Sequence, residues 1–306
     1  MSELSSLQQP VVRHSPATGI GSPHVWGIYE PDTGSIQYVC ADPTTRQAAL
    51  IDVVLNFDPA NFAIDTRSMD QVMDVVAANG LTVAWVLDTH PHADHLMAST
   101  RLKQRLGAPN AIGEKVKDIA RLWRDIYHLP DAFDPDRDFD RLLADGDTFM
   151  IGDLPVRVML SPGHTLGSVS YVCGDAAFVH DTLMQPDSGT ARADFPGGST
   201  EDLWNSVQAL LALPDDTRLF VGHDYGTKER DAPMWEATVA DHKVSNIHVS
   251  EGTESAAFLQ LRAARDKTLS LPDRMLAALQ INLRAGQLPE AEADGAQYLK
   301  IPVNKF

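Results

Sequence analysis

The chain has 306 residues, of which 43% are hydrophobic and 22% charged, a composition typical of a soluble globular enzyme. The formal net charge of −17 argues against a nucleic-acid partner, because such a protein repels phosphate backbones at long range. The two cysteines, Cys40 and Cys173, cannot form a disulfide framework and are predicted to be buried, small hydrophobic residues.

The sequence also argues against a membrane partner, because no apolar run is long enough to span a bilayer. Residues 1–20 are polar and lack the basic-then-apolar order of a secretory signal, so they are predicted to be a flexible lead-in. Together with the cysteine usage, these features predict a cytoplasmic protein.

Strand and helix signals alternate along the rest of the chain, which predicts an α/β fold, or α+β with mixed sheets. In chain order, the predicted elements are strands at 36–40 and 48–52, a helix from a capping box at 68–71 to Gly80, a strand at 81–87, helices at about 95–106 and 115–128, strands at 156–160, 168–173 and 176–179, a helix at 200–213, a strand at 217–221, and two helices within 254–286 separated by Pro272. Residues 21–250 are predicted to form one domain. Residues 251–306 are predicted to be a C-terminal helical extension packed on that domain, with an apolar tail at 298–306.

Three histidines and an aspartate lie close together directly after the strand predicted at 81–87. They occur in Thr89-His-Pro-His-Ala-Asp-His95 and are His90, His92, Asp94 and His95. Ligand sites collect at the carboxyl ends of strands in α/β layers. Because histidine is the commonest metal-ligating side chain and carboxylates complete many sites, this loop is predicted to bind metal.

Three more candidate ligands follow downstream strands. His164 lies between two glycines in Ser161–Ser168, Asp181 follows the strand predicted at 176–179, and His223 lies in Val221–Gly226. The small residues beside them allow the backbone to turn sharply and to approach closely. His164, Asp181 and His223 are therefore further candidate ligands, each at the end of a predicted strand.

Together these motifs resemble the metallo-β-lactamase superfamily over residues 35–225. The resemblance implies a four-layer αβ/βα sandwich, in which two mixed β-sheets are flanked by helices and metals bind at the sheet edges. The seven ligand positions of the superfamily are all filled here, by His90, His92, Asp94, His95, His164, Asp181 and His223.

The resemblance leaves two metal arrangements open. In the hydrolytic branch, such as glyoxalase II, two Zn(II) ions are implied: His90, His92 and His164 would hold one, Asp94, His95 and His223 the other, and Asp181 would bridge them. In the persulfide dioxygenase branch, one Fe(II) per chain would be held by His90, His164 and Asp181. His92, Asp94, His95 and His223 would then form a hydrogen-bond network that fixes these ligands.

Two features favour the persulfide dioxygenase branch. The segment DTLMQPDSGTARADFPGGS at 181–199 resembles those enzymes, as do residues 244–248, 279–283 and 298–302. The large helical substrate domain of glyoxalase II has no evident counterpart. The leading interpretation is an iron-dependent persulfide dioxygenase that oxidises glutathione persulfide with O2 to sulfite and glutathione. The alternative is a dinuclear zinc thioester hydrolase of the glyoxalase II type, a hydroxyacylglutathione hydrolase. The resemblance also implies a homodimer.

An acidic protein that binds glutathione must supply cations for its carboxylates. Arg192 and Lys228 are the candidates, because arginine forms bidentate contacts with carboxylates and Lys228 follows the His223 motif. The alternatives are a structural ion pair of Arg192 with Asp194 or Asp187, and plain solvent exposure of Lys228.

Two residues are candidates for a catalytic role, Tyr225 and Asp94. The hydroxyl of Tyr225 would contact the substrate or a bound oxygen species, although Tyr225 would also be explained by packing alone. Asp94 is a candidate in addition to its place among the ligand positions.

His180 departs from the family pattern, which usually has glycine before the metal aspartate. Strand alternation predicts that its side chain points away from the face used by Asp181; the alternative is an extra ligand or a proton relay. The remaining histidines show no clustering and are predicted to be surface or structural residues: His14, His24, His128, His242 and His248.

Overall fold

The computed structural model describes residues 11–306, which form sixteen strands and eight helices. The strands are β1 Val12–Ser15, β2 His24–Glu30, β3 Ser35–Ala41, β4 Gln47–Ile51, β5 Val54–Phe57, β6 Ile64–Asp65, β7 Thr82–Leu87, β8 Leu96–Met97, β9 Asn110–Gly113, β10 Arg141–Leu143, β11 Thr148–Ile151, β12 Leu154–Leu160, β13 Val169–Cys173, β14 Ala176–His180, β15 Arg218–Val221 and β16 Glu236–Thr238. The helices are α1 Arg67–Ala78, α2 Ser99–Leu106, α3 Val116–Tyr127, α4 Pro135–Asp138, α5 Thr200–Leu211, α6 Val239–Ser245, α7 Ser255–Asp266 and α8 Met275–Asn282.

Two large mixed sheets form the centre of the fold. The first has seven strands in the order β1-β2-β3-β4-β7-β9-β10, and the second has six in the order β11-β12-β13-β14-β15-β16. Parallel pairs occur in both: β4 with β7, β7 with β9 and β9 with β10 in the first sheet, and β14 with β15 in the second. A small third sheet, β6-β5-β8, lies beside them.

The hydrophobic clusters show how the layers stack. Inward-facing residues of both sheets share one core, in which Tyr38 of β3 lies edge-on to Phe178 of β14. The seven-stranded sheet also packs against α1, α2 and α8 through a second cluster, whereas α5, α6 and α7 contribute to the core on the side of the six-stranded sheet. The predicted four-layer sandwich of two mixed sheets flanked by helices is confirmed.

Cys40 of β3 and Cys173 of β13 face each other between the two sheets, and both are buried as predicted. A hydrogen bond between the thiols, together with burial, holds the pKa of Cys40 well above its usual range. None of the eight helices described between residues 11 and 306 has the length and apolar content needed to cross a membrane.

Two predicted helix starts are wrong. The helix predicted from 95 begins at Ser99, because Leu96–Met97 pairs instead with the antiparallel strand β5. The helix assigned to a capping box at Ser68 begins at Arg67, and the hydroxyl of the preceding Thr66 donates to Asp70. In both cases contacts outside the local pattern decide the boundary.

The two ends of the chain also differ from the sequence-based expectation. Residues 1–10 of the predicted flexible lead-in lie outside the described residues, but Val12–Ser15 is an ordered edge strand that pairs with β2. The apolar tail does contact the body, where the side chain of Gln280 bonds both backbone groups of Lys300. Leu299 is half-buried against the second cluster, whereas Tyr298, Ile301, Val303 and Phe306 are exposed, Val303 by 84%.

Candidate metal centre

The predicted ligands meet where five strand ends come together. The loops follow β4, β7, β12, β14 and β15, and main-chain hydrogen bonds join them across the edge. Asp52 N donates to Leu87 O at 3.0 Å, Val169 N to Thr89 O at 3.0 Å, and Gly222 N to His180 O at 3.2 Å. Glycine is required before His223, because a Cβ at Gly222 would lie 2.7 Å from Asp181 Oδ1.

His90, His164 and Asp181 form a compact ligand set, with one donor atom from each within 4.8 Å of the others. Nε2 of His90 lies 3.7 Å from Asp181 Oδ2, and Nε2 of His164 lies 3.6 Å from it. All three side chains are buried. The geometry brings together the three residues that the persulfide dioxygenase interpretation assigned to one metal.

Hydrogen bonds to the far side of each ring fix the tautomers of His90 and His164. His164 Nδ1 lies 2.8 Å from the carbonyl oxygen of Arg192, so it must donate. The Thr89 hydroxyl donates to Asp52 Oδ2 at 2.8 Å and can therefore only accept from His90 Nδ1, which is 3.0 Å away. Both Nε2 atoms thus present lone pairs toward Asp181, as metal-ligating histidines do.

The electrostatic surroundings favour the protonation states that a metal needs. Burial, with the neighbouring histidines, holds the pKa of His90 well below its usual value, and burial also lowers the pKa of His164. Burial opposes ionisation of Asp181, but the adjacent His223 outweighs it and holds the pKa of that carboxyl low. Two neutral imidazoles and one carboxylate are the forms that bind metal.

His92, Asp94 and His95 form a second set of donor atoms within 4.8 Å of one another. Both ring nitrogens of His92 are buried without a hydrogen-bond partner in residues 11–306, although Nε2 lies 3.1 Å from Asp52 Oδ1. Burial lowers the pKa of His92, but Asp52 outweighs it and raises that pKa, so Nε2 faces an ion-pair partner. The unsatisfied buried Nδ1 is the atom that fits a metal-binding pocket. His92 also belongs to a third set, with Asp52 and Asp88.

His223 bridges the two sets through both ring nitrogens. Nδ1 lies 2.6 Å from Asp181 Oδ1, and Nε2 lies 2.6 Å from Asp94 Oδ2. Burial opposes its charge, but these two carboxylates raise the pKa of His223 well above its usual value. In this arrangement both ring nitrogens of His223 donate, and ligation of a second metal would require it to lose the proton and the carboxylate bond at one of them.

His180 is not in any of these ligand sets, and its Nε2 is held by the hydroxyls of Ser161 and Thr182 at 2.9 and 3.0 Å. Its ring centre still lies 5.3 Å from that of His90, so the side chain is beside the centre and not remote from it. The backbone of His180 has φ +43°, a conformation that favours glycine. This conformation explains why a glycine is usual at the position.

The other histidines lie outside the ligand sets, but His14 and His24 are in contact, with Nε2 and Nδ1 3.2 Å apart, so the prediction that they do not cluster is wrong for this pair. His14 stacks on Trp26, and His128 caps the end of α3 with a left-handed backbone. His242 and His248 are buried and bonded to neighbouring groups.

Two residues that hold the centre together were missed by the sequence analysis. Asp52 accepts from both Thr89 N and Thr89 Oγ1 at 2.8 Å, and it could have been found because it follows strand β4 as the other candidates follow theirs. Asn282 of α8 donates through Nδ2 to the carbonyls of His92 and His95, both at 2.8 Å. Its Oδ1 accepts from Met97 N at 2.8 Å. Nothing in the local sequence around Asn282 signals this contact.

A cavity of about 550 Å³ opens above the first ligand set. Tyr225 lines it, with 68% of its surface exposed and its ring stacked on His223 at 5.7 Å between centres. Arg192 lines it too, but its guanidinium is bound to both oxygens of Asp194 and to the carbonyl of Ser270, which matches the structural alternative. Lys228 is exposed and is not among the residues that line the cavity, so the geometry gives its predicted substrate contact no support.

Comparison with known proteins places the chain among metalloenzymes. The profile of the metallo-beta-lactamase superfamily matches residues 35–223. The "Beta-lactamase hydrolase-like protein" of Xylella fastidiosa is 55% identical over 285 residues, which are 93% of this chain and 66% of that protein. The chain therefore spans 66% of the length of this relative.

Two further similarities concern one branch of the superfamily. "Persulfide dioxygenase ETHE1, mitochondrial" of Bos taurus is 29% identical over 279 residues, 90% of this chain and 93% of that protein. The crystal structure of ETHE1 from Myxococcus xanthus aligns with a TM-score of 0.67 and 29% identity, and covers 85% of this chain and 98% of that one. The predicted resemblance to the superfamily and to its persulfide dioxygenase branch is confirmed.

Proposed function

The chain belongs to the metallo-beta-lactamase superfamily, and we propose that within it the protein is an iron-dependent persulfide dioxygenase. Its substrates would be glutathione persulfide and O2, and its products sulfite and glutathione. The overall change is GSSH + O2 + H2O → GSH + SO3²⁻ + 2H⁺, in which the outer sulfur is oxidised and dioxygen reduced. The similarity to ETHE1 proteins over most of both chains supports this choice.

One observation supports a single iron above all. Nε2 of His90, Nε2 of His164 and Oδ2 of Asp181 converge without hydrogen bonds in the described residues, whereas Asp181 Oδ1 and both nitrogens of His223 are engaged. Two histidines and one carboxylate form the ligand set of non-haem Fe(II) oxygenases. A bound Fe(II) would supply redox chemistry with dioxygen and keep coordination positions open for small ligands.

The surrounding residues have distinct proposed roles. The carbonyl of Arg192 and the hydroxyl of Thr89 would hold the rings of His164 and His90 in their ligating tautomers. Asp94 would accept from His223 Nε2 and so fix the orientation of the ring whose Nδ1 donates to Asp181. Tyr225 extends over the cavity, where its hydroxyl would donate to the bound persulfide.

A dinuclear zinc thioester hydrolase of the glyoxalase II type is the second candidate. It is favoured by the second ligand set, His92, Asp94 and His95, and by the hydrolase-like name of the Xylella relative. In this function two Zn(II) ions would activate water and polarise the thioester carbonyl. The predicted homodimer and cytoplasmic location stay predictions under either function.

Metal content and substrate turnover separate the two candidates. Purified protein would be analysed for iron and zinc, and then assayed for oxygen uptake with glutathione persulfide and for hydrolysis of lactoylglutathione. About one iron per chain, with one O2 consumed per sulfite formed, supports the dioxygenase. Two zinc ions per chain and thioester hydrolysis without oxygen uptake would refute it.

A further inference from the structure

Three arginines line the cavity above the metal centre, and two of them already have partners. Arg192 is bound by Asp194 at 2.6 and 2.8 Å, and by the carbonyl of Ser270. Arg262 is buried and pairs with Asp266, while its second nitrogen donates to the carbonyl of Thr190 at 3.0 Å. The guanidinium groups of both residues are therefore already paired with carboxylates and hydrogen-bonded to carbonyls of the protein.

Arg265 is the third arginine and differs from both. Its side chain makes no ion pair or hydrogen bond within the part of the chain that the structure describes. It lies in the last turn of α7 and lines both the cavity and an open groove on the outer side of that helix. Arg265 is therefore a cation at the mouth of the cavity with its donors unused.

Among the described residues that line the cavity, every acidic side chain is already bound elsewhere and is not available to neutralise Arg265. Asp94 and Asp181 belong to the metal centre, where both are bonded to His223. Asp187 is held by Arg230 at 2.8 and 2.9 Å. In a protein of net charge −17, an unpaired arginine at a cavity mouth is a local attractive site for an anion.

We propose that Arg265 binds an anionic group on the carrier of the substrate thiol and so selects anionic thiols. The identity of the thiol as a persulfide rests on the proposed function. With the reacting sulfur at the metal centre, the cavity of about 550 Å³ has the size of a small-ligand pocket, and the carrier would extend to the mouth. The guanidinium suits either a carboxylate, as in glutathione, or a phosphate, as in coenzyme A.

The test measures binding separately from turnover. S-Methylglutathione keeps both carboxylates of glutathione but has no free thiol, and S-methyl coenzyme A serves as the phosphate-bearing probe. Calorimetry on the metal-loaded protein would compare wild type, R265Q, R265K and K267Q. Lys267 is an exposed cation just beyond α7 that does not line the cavity, so K267Q removes the same charge nearby and is the matched control.

We expect R265Q to weaken binding of one probe by about three- to tenfold, the range for a partly exposed charge-assisted contact. R265K should recover part of that loss, and K267Q should leave binding unchanged. If binding of S-methylglutathione weakens, Arg265 binds a carboxylate. If binding of S-methyl coenzyme A weakens, it binds a phosphate.

Three outcomes would overturn the role of Arg265: equal binding by R265Q and wild type, equal losses in R265Q and K267Q, or no binding of either probe to wild type. If a loss specific to R265Q occurs in a protein that shows no oxygen uptake with any persulfide, the proposed function fails and the anion site stands.

Discussion

Replacing Asn282 with alanine should loosen the metal-binding loop without unfolding the protein. The substitution leaves the carbonyls of His92 and His95 and the amide of Met97 buried without their partner. At about 1–1.5 kcal/mol net for each of the three hydrogen bonds, the loss is about 3–4.5 kcal/mol, less than the total stability of most domains of this size. Because the loop carries ligands, metal affinity should also fall, by about 10- to 100-fold.

Gln280 provides a matched control on the same helix. Its side chain also bonds the backbone, but at Lys300 in the C-terminal tail and away from the metal. Urea unfolding would measure stability, and competition with a chelator would measure metal affinity. We expect N282A to lower both and Q280A to lower stability alone. If N282A kept wild-type metal affinity, or if Q280A lost as much, the loop would not depend on Asn282.

Three more predictions address the ligands, the cavity wall and the buried histidines. H164A and D181A should each abolish iron binding measured by elemental analysis, because a three-ligand site cannot lose one ligand. R192A should reduce unfolding stability by about 1 kcal/mol, since it frees Asp194, and should leave the Michaelis constant of the iron-loaded enzyme nearly unchanged. Burial lowers the pKa of His242 from 6.5 to about 4, so only the unfolded chain takes up this proton as pH falls between these values. Wild-type stability should therefore decrease over that range, and H242Q should make the decrease shallower by up to about 1.4 kcal/mol per pH unit.

Each of these has an outcome that contradicts it. H14A is the control for H164A and D181A and should keep the iron content of wild type, because the exposed ring of His14 stacks on Trp26 and belongs to no ligand set. Full iron in H164A or D181A would show that the ligand assignment is wrong. If R192A raised the Michaelis constant and left stability unchanged, Arg192 would bind the substrate and would not be a structural residue. Equal pH slopes in wild type and H242Q would mean that His242 does not titrate in this range.

Metal ligands could be predicted from the sequence because their chemistry needs rare residue types at fixed places. Histidines and aspartates directly after strands 81–87 and 176–179 stand out, and the structure brings their side chains together. The start of the helix at Ser99 could not be predicted in this way. Leu96–Met97 forms a strand because it pairs with Val54–Leu55, which lies about forty residues earlier in the chain.

Charged and amide side chains were harder to assign, because their roles depend on partners that are distant in the sequence. Arg192 and Arg265 are the same residue type, and only the fold shows that Arg192 is bound to Asp194 and Ser270 while Arg265 has no partner among residues 11–306. Asn282 is likewise an ordinary helix residue until α8 is placed against the loop at His92 and His95. Local sequence patterns therefore predicted the metal ligands, whereas the residues that hold those ligands in place could be identified only from tertiary contacts.

The contact of Asn282 with His95 joins positions that are 187 residues apart, and this separation constrains how the protein matures in the cell. The ribosome makes the histidine-rich loop before the side chain that clamps it, which follows His95 by 187 residues. Stable metal loading should therefore follow the synthesis of α8, and chains that end before α8 should bind metal more weakly than the full chain.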